Sequence, residues 1–208
     1  MTFLTEIDFN TCLKHFIEVS NSINDTWELV TFEEQVRHTE RKQYLVKKNV
    51  PRLLERSQKN ITNDTVFQCE EDLETVKDDV FVAKSSDSIP CTFEYNIVYS
   101  HSYAVPVLYF NACKADGQLL SLDEVWEMIP KHYQTRLQHE QWTFITQQEH
   151  PIIGRPFFTL HPCHTADLMK SVFAHNKQTG SYLVSWLSSV GPVVGLDLPL
   201  AFAALCGE

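Results

Sequence analysis

Near the amino terminus apolar residues recur every three or four positions, so that Phe9, Cys12, Leu13, Phe16, Ile17 and Ile23 fall on one face of a helix. Thr5 or Asp8 is the expected cap. After this helix, residues 27–30 read as a short strand and residues 43–46 as a second. The clearest strand signal is at 91–99, where Phe93, Tyr95, Ile97 and Tyr99 alternate onto one face. A turn near Ser100-His101-Ser102 leads into a strand at 105–110, and Asp116-Gly117 supplies the next turn, which makes an antiparallel meander. Pro106 has no amide proton to give to a ladder and points to an edge or a bulge. Ser121-Leu122-Asp123-Glu124 matches a capping box and starts a short helix through Trp126 that Pro130 interrupts or ends. Further on, Thr165 is the expected cap of a helix carrying Leu168, Met169, Val172 and Phe173. Another helix runs through Tyr182, Leu183, Trp186, Leu187 and Val190 until Gly191-Pro192 stops it. The order of these elements predicts an α+β fold, an antiparallel sheet with helices packed on one side.

Length and charge narrow the picture. At 208 residues and 43% hydrophobic content the chain suits one globular domain. A formal charge of −10 disfavours nucleic acid as a partner, because binding phosphates needs a concentrated basic surface. Protein partners are expected instead. Between the early strands and the meander the charges separate: Arg37, Arg41, Lys42, Lys47, Lys48, Arg52, Arg56 and Lys59 come first, then Asp64, Glu70, Glu71, Asp72, Glu74, Asp78 and Asp79. Residues 51–79 therefore read as an irregular, mobile insertion within the single domain at 1–208. The start of the chain carries Glu6 and Asp8 and no basic lead into an apolar run, so a secretory signal is not expected and the predicted location is cytoplasmic. The apolar stretch 193–205 is shorter than the roughly 20 residues a membrane span needs, and it contains Asp197 and Pro199.

The six cysteines lie far apart without C-x-x-C spacing, which argues against a zinc knuckle or a disulfide scaffold. Cys12, Cys69, Cys91, Cys113 and Cys206 read as buried small apolar groups. Cys163 differs by its surroundings. Two His-Pro turns, His150-Pro151 and His161-Pro162, bracket a short apolar strand, and Pro162 stiffens the chain just before Cys163. With a helix expected right after it, the sulfur would sit by the positive end of a helix dipole, a setting in which thiols become reactive. A thiol there suits carrier chemistry: a thioester forms by exchange with another thioester at little cost and stays reactive toward amines. No glycine-rich phosphate cradle is present, so a separate enzyme must activate the carried group, and no cofactor or metal is called for. His161 reads as a residue that fixes the loop by hydrogen bonds. A zinc set of His150, His161 and His164 with Cys163 is disfavoured because Pro162 keeps the side chains of His161 and Cys163 from converging. A cysteine protease with one of the nine histidines as base, and a binding module offering a sheet edge near Pro106, are the competing readings.

His161-Pro162-Cys163, preceded by Phe157-Phe158-Thr159-Leu160, resembles the active-site motif of the autophagy E2-like conjugating enzymes. The segments at 103–110, 145–151 and 185–196 are similar to that family as well, and the resemblance runs from about Phe93 to Leu200. It implies an E2-like fold and Cys163 as the catalytic thiol, with His161, Pro162, His150 and Gln148 in the supporting loop. It also implies a reaction sequence. The E1-like autophagy-related protein 7 delivers the ubiquitin-like autophagy-related protein 12 to Cys163, and a lysine of autophagy-related protein 5 takes it as an isopeptide, in autophagosome formation. Ordinary ubiquitin E2 enzymes carry an asparagine after His-Pro that helps the oxyanion, whereas Ile152 follows His150-Pro151 here. The donor must then come from Gln147, Gln148, Asn111 or backbone N–H groups. A sister branch lipidates its modifier and senses membranes with an amphipathic first helix. Glu6, Asp8, Lys14, His15 and Glu18 give this first helix no basic face, so a protein acceptor and no stable membrane binding are expected; the resemblance further implies a monomer.

Overall fold

A computed structural model describes residues 4–33, 41–55, 88–131, 133, 144–165, 169 and 182–205. The first helix, α1 (Glu6–Ser22), starts at Thr5, whose hydroxyl accepts from the Asp8 amide at 3.1 Å while the Asp8 carboxylate reaches back to the Thr5 amide. This reciprocal cap satisfies two N–H groups that a helix start otherwise leaves open. The apolar face buries Phe9, Cys12, Leu13, Phe16 and Val19, and each large side chain among them contributes about 1.5–3 kcal/mol by leaving water. Ile23 lies just past the end as the carboxy-terminal cap.

The strands are β1 (Trp27–Glu33), β2 (Arg41–Glu55), β3 (Ser88–Ser100), β4 (Val105–Lys114), β5 (Ile145–Glu149) and β6 (Pro156–Leu160). They form one antiparallel sheet in the order β1-β2-β3-β4-β6-β5. Helices α1, α2 (Leu122–Met128), α3 (Tyr182–Val190) and α4 (Leu200–Leu205) contribute Phe16, Val125, Trp186 and Phe202 to one core with the inward side chains Phe93, Tyr95, Ile97, Leu108 and Phe110. The opposite face carries a smaller cluster of Tyr44, Val46, Val98, Val107, Tyr109 and Phe157, covered by Ile152 and Ile153 from the β5–β6 loop. The α+β arrangement expected from the sequence is therefore present. Ser121 and Glu124 form the capping box of α2, and Gly117, at φ +84°, makes the turn after β4.

One expectation is corrected. Residues 51–55 are not irregular: they continue β2, paired with β3 from Pro51↔Thr92 to Glu55↔Ser88. The reason is a bulge between Lys47 and Val50, with Asn49 at φ +56°. One extra residue there flips the alternation, so Leu45 faces the core before the bulge and Val50 and Leu54 after it. A pattern read at strict period two loses such a strand. Pro51 is tolerated because β1 reaches only as far as Lys47, leaving this part of β2 on an edge. The rest of the expected insertion lies outside the described residues. Pro106 lies in a strand that is interior in the sheet order but, as expected, on a local edge: β6 pairs with β4 only at Tyr109 and Phe110 and leaves the flank at Pro106 free of ladder bonds.

The carboxy-terminal part of the core is closed by a turn at Gly191–Val194. The Leu196 amide donates to the Gly191 carbonyl at 2.9 Å, and the Val194 carbonyl accepts from Arg52 at 2.8 Å and from the Tyr95 hydroxyl at 3.0 Å. A Cβ on Gly191 would lie 2.3 Å from the Leu196 carbonyl oxygen, a main-chain clash that no side-chain rotation relieves. Gly191→Ala should cost about 3 kcal/mol and lower the melting midpoint by roughly 6–12 °C. Scanning calorimetry measures this, and an unchanged midpoint would contradict the packing described.

Candidate active site

Strand β6 carries the chain to Cys163. Phe158 and Leu160 enter the helix-side core, Phe157 enters the opposite cluster, and the Thr159 hydroxyl donates to the Leu108 carbonyl at 3.1 Å. After Leu160 the chain leaves the sheet, the His161 amide donating to the Phe144 carbonyl at 2.9 Å. His161 is extended at φ −63°, ψ 127°, and its Nδ1 accepts from the Cys163 amide at 3.2 Å. Pro162, at the first position of the 3-10 turn Pro162–His164, has no amide to satisfy and a φ already set for a helical turn. Cys163 is exposed on this turn. The cap is thus His161, in correction of Thr165, which is itself helical at φ −61°, ψ −44° and buried. Of the helix expected beyond it, Met169 is described and lies in the core, while Leu168, Val172 and Phe173 fall outside the described residues.

The turn packs against β4. Continuing the β4–β6 register past Tyr109↔Thr159 brings 161–163 opposite 105–107, at the end of the sheet where the β3–β4 turn lies. There Tyr103, 43% exposed, sets its ring edge-on to His161 with centroids 5.7 Å apart. Tyr103 opens the segment 103–110 that resembles the family, but no site role was expected of it; its local signal is a large aromatic next to the polar turn residues 100–102.

The remaining candidates are elsewhere. His150 is fully buried beneath the opposite face, its ring 5.0 Å from Tyr109, 5.1 Å from Phe157 and 5.5 Å from Tyr44. Its Nδ1 accepts from the Ile152 and Ile153 amides at 3.3 and 3.2 Å. Gly154, at φ +69°, donates to the His150 carbonyl and closes the loop. Burial away from water pushes the His150 pKa down to about 4, which keeps the imidazole neutral as an anchor for this loop. Gln148 and Gln147 are exposed on β5, opposite Phe157 and Phe158. Gln148 is therefore three residues, ~10 Å, back along the ladder from Leu160. Asn111 donates its amide to the Pro156 carbonyl at 3.0 Å, again at the start of β6. The structure gathers His161 and Pro162 at Cys163, and it sets His150, Gln147, Gln148 and Asn111 apart from it.

The described thiols divide by setting. Cys12 is buried, with its pKa pushed up to about 11 by desolvation and then by the Asp8 carboxylate; Cys91 is buried and raised chiefly by desolvation. Cys113 is half-buried, and only Cys163 among the described cysteines is exposed. Cys69 and Cys206 fall outside the described residues.

An exposed cysteine on a proline-initiated turn, at the end of an antiparallel sheet backed by helices, is the arrangement expected of an E2-like conjugating enzyme. The chain matches the model of the family described as autophagocytosis associated protein, active-site domain, over residues 8–201, and it belongs to that family. Its relatives carry the name ubiquitin-like-conjugating enzyme ATG10. The Homo sapiens protein is 38% identical over 205 residues, spanning 97% of this chain and 93% of its own length. The Arabidopsis thaliana protein is 42% identical over 138 residues, 64% of this chain and 61% of its own. The Dictyostelium discoideum protein is 40% identical over 119 residues, 51% and 52% respectively. The chain is accordingly an E2-like transferase of autophagy that resembles these enzymes. No helix among the described residues is long and apolar enough to cross a membrane.

Because folded His150 stays neutral down to about pH 4 while an unfolded imidazole takes up its proton near pH 6.5, its burial favours folding fully above about pH 6.5. That contribution is lost as pH falls toward 4, by on the order of 3 kcal/mol. His150→Asn keeps an acceptor for the two loop amides and removes the titration. Urea unfolding at pH 7 and pH 4.5 should show about 2 kcal/mol less pH dependence in the variant; equal dependence in both proteins would refute the assignment.

Proposed function

We propose that this enzyme accepts the ubiquitin-like autophagy-related protein 12 from the E1-like autophagy-related protein 7 as a thioester on Cys163, and passes it to a lysine of autophagy-related protein 5. The observation that supports it is the exposed thiol on the His161-capped turn. In the first step the Cys163 sulfur attacks the thioester carbonyl of the charged activating enzyme, a new C–S bond forms, and the activating enzyme's thiolate leaves. In the second, the lysine amine attacks the same carbonyl, the C–N bond forms, Cys163 leaves as thiolate, and the ammonium proton passes to solvent. Both steps exchange acyl bonds without redox change or ATP, and they take place in the cytoplasm without a cofactor.

Each step passes through an oxyanion, and donors aimed at it contribute more than most other effects. Asn111, Gln147 and Gln148 stand across from the start of β6, which favours backbone N–H groups near the turn and, among the described side chains there, His161 and Tyr103, which lie in ring contact. The lipidating alternative gains nothing from α1, whose solvent side shows Thr11, Lys14 and Glu18 and no basic stripe.

A thioester trap tests the proposal. With ATP, the activating enzyme and autophagy-related protein 12, the wild type should form an adduct that reductant removes. Cys163→Ser should give a reductant-resistant ester and Cys163→Ala none. Absence of an adduct on the wild type while the activating enzyme is charged would sink the assignment of the modifier.

A further inference from the structure

The turn between β3 and β4 is an unpromising support for Tyr103. His101, Ser102 and Tyr103 are exposed, and Ala104 adopts φ +51°, a left-handed conformation that costs a residue with a Cβ about 1 kcal/mol or more. Left to itself such a turn would sample several arrangements. Two hydrogen bonds from a remote part of the chain hold it instead. The Leu4 amide donates to the Ala104 carbonyl at 3.1 Å, and the Leu4 carbonyl accepts from the Tyr99 hydroxyl at 2.6 Å. Leu4 is buried and directly precedes Thr5, the cap of α1, so the rigid start of that helix is joined to both ends of the turn. Tyr99 is the junction: its ring packs on Phe9 of α1 at 5.4 Å and edge-on to His101 at 5.1 Å. The Ala104 amide, donating to the Ser100 carbonyl at 2.8 Å, closes the turn on itself.

From this geometry we propose that the segment leading into α1 is a clamp on the active site, and that Tyr99 is a positioning residue: by holding Leu4, it fixes the 100–104 turn so that Tyr103 stays against His161. His161 in turn caps the Cys163 amide. The path therefore runs without a gap from α1 through Leu4, Ala104, Tyr103 and His161 to Cys163. Removing the Tyr99 hydroxyl leaves the sheet and the helix core intact, because the ring stays on Phe9 and Leu4 keeps its apolar place in the core, but it frees the Tyr103 ring that stands beside the capped turn. The catalytic consequence rests on the proposed carrier role of Cys163; the structural consequence does not.

Two readouts on Tyr99→Phe test the clamp. The variant keeps the ring on Phe9 and loses the hydroxyl. By residue-resolved hydrogen exchange, the Cys163 amide should exchange about tenfold faster, while the amides of Ile97 and Leu108 in the central strands are unchanged and the melting midpoint moves little. The effect should vanish in a Tyr103→Ala background, since Tyr99 acts through Tyr103. Unchanged exchange at Cys163, or an equal gain with and without Tyr103, overturns the clamp. In single-turnover transfer, charged Tyr99→Phe should discharge to the acceptor lysine about fivefold more slowly at saturation, with the acceptor concentration for half-maximal rate unchanged. Equal discharge rates in wild type and variant overturn the catalytic part. A wild type that never charges refutes the carrier role, and the exchange measurement still decides the clamp.

Discussion

The geometry around Cys163 depends on a change of chain direction at the end of β6, held by one hydrogen bond from the Cys163 amide to Nδ1 of His161. A strand that runs into a helical turn leaves amides without partners, and a side chain at the junction must accept one of them. His161 does so with an extended backbone, Pro162 removes the next amide from consideration, and the third residue of the turn is followed by the buried Thr165. Cys163 is thereby pinned by its main chain while its sulfur stays in solvent.

The two histidines that precede prolines illustrate how one local motif serves two ends. His150 and His161 each accept main-chain amides two residues on with Nδ1. Beneath the sheet, His150 spends that capacity on a closed loop that seals Tyr44, Tyr109 and Phe157 from water. At the sheet's end, His161 spends it on presenting a thiol. What separates the two is burial: the first imidazole is enclosed by aromatic rings on the face opposite the helices, the second is half-exposed with Tyr103 at its side. The turn chemistry is the same; the packing decides whether it builds core or presents an exposed cysteine.

Much of this was legible in the sequence because the signals were local. Thr5, Asp8, Ser121 and Glu124 cap as their types and spacing predict, and the alternation of Phe93, Tyr95, Ile97 and Tyr99 places β3 on the helix-side core. The exposed setting of Cys163 among the described cysteines agrees with the turn that Pro162 beside it signals. What escaped had non-local causes. The extension of β2 was hidden by a single-residue bulge, and its Arg52 looked like part of a charged loop when it in fact reaches the Val194 carbonyl. Thr165 looked like a cap because its type fits, yet an imidazole four residues earlier had already taken that role. Asn111, Gln147, Gln148 and His150 were grouped with the thiol by nearness in sequence or by chemistry, but the antiparallel register of β5, β6 and β4 carries them away from it. Tyr103 had the opposite fate: sixty residues from Cys163 in the chain, it is brought beside the active turn by that same register.

The most direct test of the central claim, that the fold presents Cys163 as the one carrier thiol, is alkylation of the native enzyme followed by peptide mass spectrometry, before and after loading with the modifier. The account predicts that Cys163 is labelled first in the free enzyme, that Cys12 and Cys91 resist, and that loading protects Cys163 alone. Protection at a different cysteine, or full labelling of Cys163 while the modifier is attached, would contradict it.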